Sequence, residues 1–184
     1  MGKYSVNQIP WNKLASASGT CEHYPNVFKE LLNDDPKKIE EAYWQLDNHA
    51  VLQGDIYEVA PYVADILVEI LQSCPSCLGR ARIYDLLIEI AYGDAVVSTI
   101  SSYPGKDVPL KEACDLAICQ GIDIYLSDLD HEQREIRLKA SQLLLAYSGV
   151  LGDKITLINN RVISESDQEI KKILEEILEI PERR

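Results

Sequence analysis

Apolar residues recur at three- and four-residue steps along most of this chain. The run that sets the reading begins at Asp35-Pro36 and ends near Gln72. Ile39, Ala42, Tyr43, Leu46 and Ala50 fall on one face at about 100° per residue, which predicts an amphipathic helix. A carboxylate at the cap, followed by proline where no amide donor is needed, fixes its start. Gly54 is expected as its C-terminal cap. Val59, Val63, Ile66, Leu67, Ile70 and Leu71 predict a second helix with a broad apolar stripe. Two such helices cannot bury both stripes alone, so neighbouring elements must cover them.

The same grammar continues on either side. Residues 1–20 have little periodicity and read as an arm, with Trp11 and Leu14, packed across the first helices. Pro25 opens a short helix that turns Val27, Phe28, Leu31 and Leu32 inward. A helix from Cys77 to Tyr92 is apolar nearly all round, apart from a narrow seam of Arg82, Asp85 and Glu89, so it should be buried on several sides. Residues 93–108 form the longest irregular segment, a length that in a helical protein signals function or mobility. Helices are expected over Pro109–Leu126, His131–Ser148 (capped by Asp130), Leu151–Ile163 and Asp167–Ile180. The charge-dense last stretch, residues 167–184, reads as a terminal capping helix.

Self-similarity refines this picture. Ala50-Val51-Leu52-Gln53-Gly54-Asp55-Ile56-Tyr57 returns, with one insertion, as Ala117-Ile118-Cys119-Gln120-Gly121-Ile122-Asp123-Ile124-Tyr125. Ile39-x-x-Ala42-x-x-x-Leu46, Ile136-x-x-x-Ala140-x-x-x-Leu144 and Ile170-x-x-x-Leu174 each follow an Asp-containing turn. Small residues permitting close helix approach, with branched ones filling between, mark stacked helix pairs. The expectation is one all-α domain over residues 1–184, an α-solenoid of about four hairpins.

Composition narrows the function. The chain has 184 residues, 46% hydrophobic and 26% charged, enough for a core without staples. A net charge of −12 with no basic run argues against nucleic acid as a partner; an acidic surface suits a solvated monomer or a partner that is itself basic. No apolar stretch is long enough to span a membrane, and Met1 to Leu14 lacks a signal-peptide core, so a cytoplasmic location is expected. Five cysteines without an export signal are expected reduced. Cys74-Pro75-Ser76-Cys77 reads as a helix-to-helix turn, with a redox pair or a zinc half-site as alternatives. Gly-rich phosphate loops, HExxH, GxSxG and a second CxxC are all missing, and His23, His49 and His131 are scattered. No catalytic residue, metal or cofactor is therefore expected.

Surface residues remain. Glu58, Tyr62, Asp65 and Glu69, spaced by four, three and four, would share one helix face as an acidic strip. Trp44 stands beside Asp47, among Glu40 and Asn48 and away from the apolar stripe. These six residues, Trp44, Asp47, Glu58, Tyr62, Asp65 and Glu69, are the candidate partner-binding set. The bland alternative is a Trp44 covered by the N-terminal arm and a strip that is plain solvated helix.

Asp130-x-x-x-x-x-Ile136-Arg137-x-x-Ala140-x-x-x-Leu144-Leu145 resembles the second helix of a HEAT repeat. Trp11-x-x-Leu14, Gly19, Pro25-x-x-x-x-x-Leu31 and Gln53-Gly54-x-Ile56-Tyr57 are similar to small bacterial HEAT-repeat proteins. The likeness runs from Trp11 to Ser148, and departs from the pattern at residues 93–108 and at Ile39-Glu40, where an Arg is usual. Members of that group often serve as immunity proteins to polymorphic or contact-dependent toxins. The resemblance therefore implies a cognate toxin domain as partner, a basic nuclease being its specific form. The rival expectations are a HEAT-like scaffold or adaptor and a HEAT-like lyase. Self-association is left open by the sequence.

Overall fold

Helix starts follow local chemistry. In the computed structural model, which describes residues 5–95, 100–103 and 105–180, α1 spans Tyr24–Glu30 and α2 spans Pro36–Ala50. Asp35 caps α2 as expected, its carboxylate accepting from the Lys37 amide at 3.0 Å with Pro36 in the first turn. α3 (Ala60–Leu71) and α4 (Cys77–Tyr92) follow, α4 with both ends where the sequence puts them. Ser76 caps α4 by accepting from the Gly79 amide at 3.2 Å. Then come α5 (Leu110–Cys119), α6 (Ile122–Asp128), α7 (Arg134–Ala146), α8 (Ile155–Ser164) and α9 (Gln168–Glu179). The fold is mostly helical.

Gly54 does not cap α2. The helix ends at Ala50, and Val51–Leu52 (β1) turns back on Asp55–Ile56 (β2) as an antiparallel hairpin. Its two-residue turn is Gln53 at φ 55° and Gly54 at φ 87°, the left-handed pair a tight hairpin demands. Asp94–Ala95 (β3) adds to β2 in parallel. The helix expected over Pro109–Leu126 also breaks, at Gln120-Gly121, where bonds from the Gln120 amide to Ala117 and from the Gly121 amide to Ile118 tighten the last turn of α5. Within the segment expected to be irregular, Ile100–Ser101 (β4) pairs with Val108–Pro109 (β5). Residues 96–99 and 104 of that segment lie outside the described residues, as do residues 1–4 of the arm and 181–184 of the capping helix.

The chain divides into two compact units, Met1–Gly121 and Ile122–Arg184. In the first, α3 is the most enclosed element: every residue from Ala60 to Val68 is buried. It packs on α4 and α5, while α2 packs on α4 and α1. Gly79 lets α4 come close to the end of α1, since a Cβ there would stand 2.4 Å from the Leu31 carbonyl oxygen. The N-terminal segment packs down as expected: Trp11 is buried, its ring 5.3 Å from Tyr24 and 5.8 Å from Phe28, and its indole N–H donates to the Val6 carbonyl. In the second unit, α7 and α8 both pack on α9 around Ile136, Leu143, Ile158, Ile170 and Leu174. Asp167 caps α9 through the Glu169 and Ile170 amides.

Candidate protein-binding face

The inward stripe of α2 leaves Glu40, Trp44 and Asp47 on its flank, next to the polar seam of α4. Tyr43 joins the two helices: its ring is buried, and its hydroxyl donates to Glu89 Oε1 at 2.9 Å. The Arg82 guanidinium lies 5.1 Å over the Tyr43 ring and bonds to Glu40 at 2.7 Å and Asp85 at 2.9 Å. Trp44 stacks edgewise on the outer side of Tyr43 with centroids 4.9 Å apart, yet remains 54% exposed. Residues 5–20 of the N-terminal arm do not cover it.

Asp47 reaches the same Glu89. Partial burial, then the hydrogen bond and charge of Glu89, push the Asp47 carboxyl up to about 7. Arg82 is committed to Glu40 and Asp85, and among the described residues neither Asp47 nor Glu89 has a Lys or Arg ion partner. The face thus offers an exposed indole beside two carboxyls lacking a cation. Chemically it suits a guanidinium or ammonium group more than an acid. Sequence reasoning found Trp44 and Asp47 but left Glu89, Arg82 and Tyr43 unassigned; the narrow seam on an otherwise apolar α4 was the available signal.

The acidic strip on α3 is corrected. Tyr62 and Asp65 are buried, at 7% and 2% exposure, because α4, α5 and the β4–β5 segment close over α3. Asp65 Oδ1 accepts from the Tyr103 hydroxyl and from Gln120 Nε2, each at 3.0 Å, and Gln120 Nε2 also donates to the Tyr103 oxygen. Tyr62 packs edgewise on Tyr103 at 5.5 Å. Glu58 is half-buried and accepts from the Ala15 amide at 3.1 Å. Only Glu69 is exposed, on the rim of an apolar groove of about 440 Å3 with Phe28, Leu32, Ile66 and Ile70. Glu58, Tyr62 and Asp65 hold the fold, and the four residues do not form one surface. Tyr103→Phe should lower folding stability by about 2 kcal/mol, the worth of a hydrogen bond to a buried carboxylate, read from urea denaturation.

His23 and His49, expected apart, meet edge to face at 5.5 Å, both against Tyr24. His49 Nδ1 is buried without a partner, and burial followed by the charge of His23 holds its pKa below the ordinary 6.5. The unfolded chain therefore binds the proton more readily. Stability from this site is present above about pH 6.5 and is lost as pH falls. The stability of the wild-type chain relative to His49→Gln should fall between pH 7.5 and 5.5, read as the difference of their melting temperatures, since the raised Asp47 carboxyl pulls the other way equally in both.

All five cysteines are free. In the CxxC, Cys74 is buried and burial pushes its thiol up, the wrong direction for a nucleophile, while Ser76 occupies the capping position. Among the described residues no three His, Cys, Asp or Glu side chains are grouped to hold a metal ion, and no helix is long and apolar enough to cross a membrane.

No family model, curated protein or solved structure matches this chain.

Proposed function

We propose that the chain is a protein-binding module of HEAT-like helical hairpins that docks a basic protein on its Trp44 face. The specific role we assign is that of an immunity protein, neutralising a cognate toxin domain by covering its active site. The observation that carries the reading is Trp44: a large indole left 54% exposed on a folded surface, on the same flank of α2 as Glu40 and Asp47. Exposed aromatics of this kind act as interface anchors, and carboxylates around them steer and select a cationic partner. A net charge of −12 extends the same preference over the whole chain.

Helices two apart in sequence touch, α2 with α4, α3 with α5 and α7 with α9. That is the contact pattern of stacked hairpins, where each unit leans on the next, and it supports the HEAT-like architecture. The toxin role rests on the sequence likeness to bacterial HEAT-repeat immunity proteins. Mixing the purified chain with the toxin domain encoded by the adjacent gene tests it by calorimetry. Nanomolar binding with loss of toxin activity is the expected result, and absence of binding at micromolar concentrations sinks the role.

A further inference from the structure

We infer that a second copy of this chain docks on the apolar groove between α1 and α3. Leu32 of each copy seats in the groove of the other, and Lys29 of each pairs with Glu69 of the other. The groove has a volume of about 440 Å3, with Phe28 and Ile66 as its buried floor. Leu32 stands on its rim, 37% exposed, an apolar knob beside an apolar hole. The charged residues lining it are one cation and one anion, Lys29 on α1 and Glu69 on α3, both exposed. Among the described residues neither has an ion partner, and they do not pair with each other. Lys37 and Lys38, exposed on the adjacent α2, each have one, Glu41 at 3.8 Å and Glu30 at 3.5 Å. The groove belongs to α1 and α3 and owes nothing to the Trp44 reading on α2 and α4.

Charge decides the occupant. At a net charge of −12, two copies repel wherever carboxylates dominate the surface. The Trp44 face is such a place, with Glu40, Asp85 and Glu89 against Arg82. The groove is balanced, so it neither repels a second copy nor favours a basic or an acidic partner. A two-fold axis also demands a self-complementary patch, because the same surface is presented from both sides. A knob beside a hole, with one cation and one anion on the rim, meets that demand. Reciprocal insertion removes both Leu32 side chains from water, and each rim charge gains an opposite one. A groove of this size with two exposed ion pairs supports a weak dimer, with a dissociation constant on the order of 100 µM.

Sedimentation equilibrium of the full chain, from about 10 µM to about 1 mM, tests the dimer. The weight-average mass is expected to rise from one chain toward two. Lys29→Glu and Glu69→Lys, both at exposed positions, should each weaken association about tenfold, because each sets like charges face to face twice per dimer. An equimolar mixture of the two variants should associate again, since both rim contacts then join opposite charges. Glu69→Lys is the decisive arm. It lowers the net negative charge, so tighter association than wild type would trace the effect to overall repulsion and overturn the inference. A wild-type chain that stays monomeric at about 1 mM overturns it too. So does a dimer that neither reversal weakens, which would sit on another face, or a mixture that fails to associate. Uptake of a fluorescent apolar dye by a chain that never pairs assigns the groove to a small amphiphile and likewise overturns the dimer. Each of these failures leaves binding of a basic protein at Trp44 untouched.

Discussion

Alanine at Glu165 is expected to cost about 3–5 kcal/mol of folding free energy, read as a fall in the urea midpoint. Glu165 is only 5% exposed, yet it carries a charge. Its Oε2 accepts from Arg161 Nη2 at 2.8 Å and Arg137 Nε at 3.2 Å, and its Oε1 accepts from the Asp167 amide at 2.9 Å. One carboxylate therefore ties α7, α8 and the start of α9 together. Truncation leaves two half-buried guanidinium groups facing each other and an amide without its acceptor. Arg137 retains the His131 and Glu132 carbonyls and Arg161 retains Asp130, which keeps the loss from exceeding the usual range. Burial pulls the Glu165 pKa upward, but the Asp167 amide and the two arginines outweigh it and hold it below the ordinary 4.5. The sign follows: this stability is present above that value and disappears as pH falls through and below it. The wild-type chain should lose stability steeply below pH 4.5, and Glu165→Ala should show a flatter acid limb. A loss under about 1 kcal/mol at pH 7 would show that the network contributes little.

Where sequence reading succeeded, the signal was local. Asp35 caps α2 through a bond to an amide two residues on, so spacing alone was sufficient. Where it failed, a second partner decided. A glycine after a helix suits a C-terminal cap or a hairpin equally well. The choice at Gly54 fell to Gln53, a residue with no intrinsic taste for φ 55°, held there by pairing of Val51 with Ile56. The strip on α3 failed for the same reason. Spacing places Tyr62, Asp65 and Glu69 near one another, but their exposure depends on what covers them. Asp65 finds its partners 38 and 55 residues away, at Tyr103 and Gln120, a pairing that no helical period reveals.

The Trp44 face was half legible. An aromatic flanked by carboxylates and off the apolar stripe is readable from α2 alone. Its other half, Arg82 and Glu89, comes from a packing register between α2 and α4 that only three dimensions supply. The odd polar residues on a helix otherwise buried all round were the hint, because a buried helix keeps such groups where a neighbour satisfies them.

Trp44→Ala should weaken binding of the cognate toxin domain about 100-fold while changing folding stability by less than about 1 kcal/mol. The two readouts separate because of where the indole stands. At 54% exposure it has little left to lose on unfolding, and its ring contact with Tyr43 contributes about 0.5–1.5 kcal/mol. Docking would bury the remainder against a partner surface, the setting in which a single aromatic dominates an interface. Phenylalanine at the same position should recover part of the affinity, since a smaller π face still receives a guanidinium. The measurement is calorimetric titration of each variant, with denaturation curves run alongside. Binding within threefold of wild type in Trp44→Ala would move the interface off this face.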